Sequence, residues 1–271
     1  MKLAISNIGW TPVEEPAVAQ VLQEMGVEYV EIAPTKVWND PLAVSDEQIQ
    51  EYLDFWTRYG ITVAAFQSML FPRPDLKIFE SADNRAETLE YLKGYVRLAG
   101  KMQAGVLVFG SPKNRQRGDM PEAEVTPIAK DFFTALGNEA QQHATRFCIE
   151  PNATQYACDF ITNAQEGIDF VQTVDNPGFR LHLDIACMTL AGDDVSQSIH
   201  DAAPYLQHFH ISSPMLELVE ERDDVHHQKA ADALRDIKYD NFVSIEMRPG
   251  DEGQNVERVR TAITLAQKYY V

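Results

Sequence analysis

The sequence predicts an α/β protein closed as a (β/α)8 barrel, the TIM-barrel architecture, on three observations. Short β-branched runs alternate with longer stretches of helical period along the chain, the pattern of a parallel sheet covered by helices. Eight such pairs can be counted, and eight βα units in about 250 residues match the size of a sheet that closes on itself. No Pro-, Gly- or Ser-rich linker marks a boundary, so the 271 residues read as one domain spanning 1-271. A doubly wound open sheet is the competing architecture. The first strand runs into Asn7-Ile8-Gly9-Trp10 rather than a GxGxxG turn, which favours the barrel.

The expected strands are Leu3 to Ser6, Tyr29 to Ile32, Thr62 to Phe66, Val106 to Phe109, Phe147 to Glu150, Leu181 to Asp184, His208 to Ile211 and Phe242 to Glu246. The helical patterns between and after them run Glu15 to Met25, Asp46 to Tyr59, Ala82 to Met102, Glu122 to His143, Asn163 to Val174, Val195 to Ala203, His226 to Asp236 and Glu252 to Tyr270. Ser45-Asp46-Glu47, and Thr162 with Gln165 three residues on, mark helix starts. Gly26, Gly60 and Gly105 mark stops.

Composition narrows the function classes. With 41 acidic against 23 basic residues the net charge is −18, which repels phosphate backbones and anionic lipid, so neither nucleic acid nor a membrane is an expected partner. The apolar stretches fall short of the roughly 18 residues a membrane span needs. The start, Met1-Lys2-Leu3-Ala4-Ile5-Ser6-Asn7, turns polar before a signal-peptide core can form, and a cytoplasmic location is expected. Cys148, Cys158 and Cys187 are odd in number and lack CxxC spacing, the pattern of ordinary buried thiols.

In a barrel of this kind chemistry sits at the C-terminal ends of the strands. Alternation along the last four strands turns Ile149, Leu183, Phe209 and Ile245 toward the helices and Glu150, Asp184, His210 and Glu246 into the barrel mouth. One layer deeper come Cys148, His182, His208 and Ser244. A lone polar strand end is usually just that. Three carboxylates about 5 Å apart, however, repel by roughly 3 kcal/mol per pair at an effective dielectric near 20, which calls for a cation. Three carboxylates and one imidazole make a mostly oxygen shell suited to one divalent ion, Mn²⁺ or Mg²⁺ first, with Co²⁺ or Zn²⁺ as further options.

The strand endings Ile149-Glu150-Pro151-Asn152, Leu183-Asp184, His208-Phe209-His210-Ile211-Ser212 and Ser244-Ile245-Glu246-Met247, in that order, resemble the xylose isomerase-like barrels grouped as sugar phosphate isomerases/epimerases and AP endonucleases of family 2. Phe109-Gly110-Ser111-Pro112-Lys113-Asn114-Arg115 and Tyr239-Asp240-Asn241-Phe242 carry the resemblance further, so that it spans nearly the whole chain. It implies that Glu150, Asp184, His210 and Glu246 hold a single metal, and that Glu150 and Glu246 are a proton-transfer pair on opposite faces of a bound sugar. A C–H next to a carbonyl is weakly acidic, and a metal bound to both sugar oxygens stabilises the enediolate left by deprotonation. Return of the proton to the opposite face of the same carbon is epimerisation, and return to its neighbour is isomerisation. The resemblance also implies a homodimer or homotetramer.

There are departures. Many relatives carry His three residues after the strand-six Asp, where this chain has Cys187, and the ends of strands three and four, Phe66-Gln67-Ser68 and Phe109-Gly110-Ser111, lack the extra His ligands of the three-zinc endonucleases. The expected function is therefore a metal-dependent isomerase or epimerase of a carbohydrate-like small molecule. A dehydratase of a keto-sugar, keto-cyclitol or hydroxy acid is the alternative, and a non-catalytic sugar-binding barrel or an endonuclease lies further off.

Candidate substrate contacts are Glu31, Lys113, Arg115, Asn152, His226 and Arg248. Lys113, Arg115 and Arg117 form a positive loop after strand four, able to hold an anion or simply solvated. Glu31 either binds a sugar hydroxyl or pairs with Arg115, and Arg248 either clamps an anion or pairs with Asp224 or Glu31. His226 follows Asp224 in a DxH spacing and otherwise reads as a solvated helix start. His182 and His208 are expected to be hydrogen-bonded beneath the metal, steering its ligands. Trp10, Trp38 and Phe71 are expected in loops at the same end.

Overall fold

The computed structural model describes residues 1–271. Eight parallel strands close into a barrel in chain order: β1 (Lys2–Ser6), β2 (Tyr29–Ile32), β3 (Thr62–Phe66), β4 (Val106–Phe109), β5 (Arg146–Ile149), β6 (Phe179–Asp184), β7 (Leu206–Ser212) and β8 (Phe242–Glu246), with β8 pairing back onto β1. All eight expected strands form. The largest differences are at β6 and β7, which begin two residues earlier, and at β5, which ends on Ile149 because Pro151 has no N–H to extend the ladder.

The covering helices are α1 (Glu15–Glu24), α3 (Asp46–Thr57), α4 (Ala82–Lys101), α5 (Glu122–Gln142), α6 (Ala164–Val174), α8 (Val195–Ala202), α9 (His227–Asp236) and α10 (Asn255–Tyr270). Two short helices are additions to the expected set: α2 (Pro34–Val37) after β2 and α7 (Ile185–Ala191) directly after β6. Ser45 and Gln48 form a reciprocal capping box on α3. On α6 the cap is shifted by one residue from the expected Thr162/Gln165 pair. Asn163 accepts from the Glu166 amide, while the Glu166 carboxylate accepts from Thr162. Gly26 and Gly60 take the left-handed conformation that ends a helix, at φ 70° and 74°, whereas past α4 Gln103 takes it, at φ 57°, and Gly105 does not.

The main core lies between barrel and helices, and Ile149, Leu183, Phe209 and Ile245 belong to it as the alternation requires. The barrel interior is divided. Ala65, Val106, Val108 and Cys148 form a small apolar cluster along β3 to β5, while Glu31, His182, His208, His210 and Ser244 make the other side polar and fully enclosed. No helix is long and apolar enough to cross a membrane.

Candidate active site

The polar half of the interior leads up to the strand ends. Asp184 and His210 are register partners on β6 and β7, and Ser212 pairs with Glu246 across β7 and β8, so backbone hydrogen bonding alone places these side chains together. Glu150 follows β5 by one residue, its amide still donating to Phe109 O at 3.1 Å. Ligand atoms of Glu150, Asp184 and His210 lie within 4.8 Å of one another. His210 Nδ1 is 3.2 Å from Glu246 Oε2 and 3.9 Å from Asp184 Oδ2.

Each member of the group is held from behind. Asp184 caps α7, Oδ1 accepting from the Cys187 amide at 2.6 Å and Oδ2 from Ser212 Oγ at 2.6 Å. His210 Nε2 donates to Glu31, 3.0 Å from Oε2 and 3.2 Å from Oε1. Because β2 and β7 are not neighbours in the sheet, that bond crosses the barrel. Beneath it His182 Nδ1 and His208 Nδ1 are hydrogen-bonded to each other at 3.1 Å.

The electrostatics follow from burial of like charges. Loss of solvent, reinforced by Glu246 and Asp184, pushes the Glu150 carboxyl up to about 8. Asp184 is raised by burial and by Glu246, against the bonds from Ser212 and Cys187. Burial opposes charge on His210, but the carboxylates of Glu31 and Glu246 outweigh it and hold the ring's proton well above the ordinary range. Glu31 is the complement: burial raises it, and the imidazoles of His210 and His208 bring it down to about 2. Burial holds His208 near 4 and His182 well below the usual value, so both rings are neutral.

These residues fit a divalent cation. His210 Nδ1 is buried with no aligned hydrogen bond, its other nitrogen is fixed by a carboxylate, and three carboxylates that repel one another converge beside it. A metal-binding imidazole commonly has this carboxylate partner. Glu150, Asp184 and His210, with Glu246 beside His210 Nδ1, could hold one; His182, His208 and His210 also bring ring nitrogens within 4.8 Å of one another, one layer deeper.

The family model described as xylose isomerase-like TIM barrel matches residues 19–268. The chain belongs to the xylose isomerase-like TIM-barrel family. Within it, the chain is similar to D-psicose 3-epimerase of Ruminiclostridium cellulolyticum, 27% identical over 249 residues, which cover 86% of this chain and 79% of that protein. The fold is shared with a solved D-psicose 3-epimerase in the presence of D-fructose (TM-score 0.82, 18% identity, covering 100% of this chain and 99% of the other). It is shared also with the probable 3-DHS dehydratase of petrobactin synthesis from Bacillus anthracis (TM-score 0.74, 18% identity, 98% and 99% covered).

The outer candidates on this xylose isomerase-like barrel part company. Glu31 has no exposed surface and spends both oxygens on His210, so it orients that ring instead of meeting a sugar hydroxyl or Arg115. The three basic residues after β4 do not form one patch. Lys113 is exposed, Arg117 pairs with Glu122, and Arg115 is wholly buried, its Nη2 donating to Glu150 O at 2.6 Å and Asn152 Oδ1 at 2.9 Å. Asn152 is buried beside Glu150.

His226 is exposed at the start of α9 with no bond to the acid group, and its loop is held by Arg222 bridging Glu217 and Asp224. Asp224 is thereby taken, and Arg248, exposed two residues past Glu246, has no carboxylate partner. Trp10 is buried, Trp38 packs edge-on against Tyr52, and Phe71 alone of the three is exposed.

Three residues of the site carried no assigned role in the sequence reading. Ser212 was legible in the run of alternate inward positions His208, His210 and Ser212. Gly110 was not, yet a Cβ there would stand 2.4 Å from Glu150 Oε2. Cys187 reaches the site because α7 turns the chain directly over Asp184.

Proposed function

We propose that this chain is a divalent-metal-dependent sugar epimerase or isomerase, with a ketohexose of the D-psicose/D-fructose kind as the first substrate to test. The observation that carries the reading is the convergence of Glu150, Asp184 and Glu246 on His210 Nδ1, with Glu31 behind the ring. The 27% identity to a D-psicose 3-epimerase supports the substrate class.

Glu150 and Glu246 flank the Asp184–His210 pair from β5 and β8, and a small sugar lying over that pair has one on either side. One carboxylate takes the proton from the carbon beside the keto group, and the other returns a proton to the opposite face, inverting that carbon. A bound divalent ion, Mn²⁺ or Mg²⁺ for so oxygen-rich a set, supplies positive charge to the sugar oxygens as the carbon loses its proton. Asp184 and His210 hold the cation's place, and Ser212, the Cys187 amide and Glu31 keep those two from rotating.

Glu246→Gln tests the pair, because it keeps an oxygen for a cation and removes the proton acceptor. With Mn²⁺ bound, interconversion of D-psicose and D-fructose is expected to fall about 10²- to 10⁴-fold. Near-normal turnover would remove Glu246 from the mechanism. A product lighter than the substrate by one water would identify a dehydratase instead.

A further inference from the structure

The wholly buried guanidinium of Arg115 has no carboxylate partner, and its Nε and Nη1 have no partner at all. Its bonds run to one place, the surroundings of Glu150: Nη2 donates to the Glu150 carbonyl at 2.6 Å and to Asn152 Oδ1 at 2.9 Å. A guanidinium only donates, so it fixes which end of the Asn152 amide faces it. The other end, Nδ2, then points at Cys187 and donates to Sγ at 3.6 Å. With its sulfur accepting from Asn152, the thiol has its own hydrogen to give, and Sγ lies 3.7 Å from Glu150 Oε1. The opposite oxygen, Oε2, rests in the space that Gly110 leaves by having no side chain.

We infer that Cys187 is a positioning residue for Glu150: the chain Arg115, Asn152, Cys187 sets the direction of the thiol hydrogen, and the thiol together with the Gly110 backbone holds the carboxyl in the orientation used for proton transfer. The inference rests on the proposed function for its kinetic consequence, not for its geometry. Cys187 touches neither Glu246 nor any atom of His210 within hydrogen-bonding distance. Its loss therefore disturbs one proton-transfer face and spares the other. Purely structural damage would slow both.

The test compares wild type, Cys187→Ala and Cys187→Ser, each loaded with Mn²⁺ and assayed in D2O from D-psicose and, separately, from D-fructose. For Cys187→Ala the expected result is conversion slowed about 10-fold, with metal content unchanged and the protein still folded. The slow face should show as solvent deuterium accumulating in the recovered substrate of one sugar and not the other. That sugar is the one whose hydrogen faces Glu246, where exchange stays fast while onward transfer at Glu150 lags. Cys187→Ser, which retains a donor, should restore most of the rate. Wild-type behaviour in the Ala variant, or equal slowing of exchange from both sugars, would overturn the inference. If wild type exchanges neither sugar, the substrate reading has failed, and crystal structures of wild type and Cys187→Ala decide the geometry. A displaced or divided Glu150 carboxyl in the variant supports the role, and an unmoved one refutes it.

Discussion

Loading the site with a divalent cation should release protons, and Glu31 should set how steeply the affinity climbs with pH. His210 can offer Nδ1 to a metal only after losing the proton there, and Glu31 with Glu246 raises the ring's proton affinity well above the ordinary range. Protonation competes with the metal, so affinity rises with pH. While the ring remains protonated in the free protein, one released proton makes the apparent affinity about tenfold greater per pH unit. If Glu150, held up to about 8, also gives up its proton, the slope below that pH approaches twice as many decades.

Glu31→Gln keeps an acceptor for Nε2 and removes the charge. At 3.0 Å that charge is worth roughly 5 kcal/mol to an imidazolium at an effective dielectric near 20. The variant should therefore lose most of the slope contributed by His210 between pH 6 and 8, and fall further below wild type in Mn²⁺ affinity as pH rises, because the proton competition that penalises the wild-type ring fades while the variant ring stays the poorer ligand. Titration calorimetry at pH 6, 7 and 8, in buffers of different ionisation enthalpy, measures both affinity and protons released. Wild-type affinity that is flat with pH and proton-neutral, or a Glu31→Gln slope equal to wild type, would refute the assignment of His210 as a ligand oriented by Glu31.

Two further outcomes follow from the same charges. Asp184→Asn retains an acceptor for the Cys187 amide and removes one of three mutually repelling carboxylates, so metal content should collapse while the metal-free protein melts at a higher temperature. Because the folded state raises this carboxyl, the stabilisation should be largest above the ordinary Asp range and vanish as acid protonates the wild-type group, which melting curves in EDTA from pH 4 to 8 will show. Arg248→Ala should leave KM for neutral ketohexoses unchanged, and raise it for a phosphorylated or carboxylated sugar by the equivalent of roughly 1.5 to 3 kcal/mol if the unpaired guanidinium receives the anion. Steady-state kinetics on both kinds of sugar measures the difference.

How much of this was legible in the chain follows from the range of the forces involved. Alternation with period two is local, and it was enough to turn Glu150, Asp184, His210 and Glu246 to one side of consecutive strands and Ile149, Leu183, Phe209 and Ile245 to the other. The number of βα units set the closed barrel, and the pairing of β6 with β7 made neighbours of Asp184 and His210 through backbone register. Contacts across the barrel have no such local signature. Glu31 and His210 lie 179 residues apart on strands that never pair, and only the narrow interior brings them to 3.0 Å.

Loop side chains were equally beyond a linear reading, since their direction is decided by what they pack against. Lys113, Arg115 and Arg117 follow one another at alternate positions, yet one is solvated, one is buried under Glu150 and one is tied to Glu122. His226 faces out because its neighbour His227 is the residue anchored inward, to the Tyr270 hydroxyl at 3.0 Å. Sequence by itself determined which chemistry stands at the barrel mouth, because strand periodicity and closure are properties of the backbone. Only the tertiary structure decided which groups orient it, because a buried proton donor or carboxylate is placed by the partners that offset its loss of water.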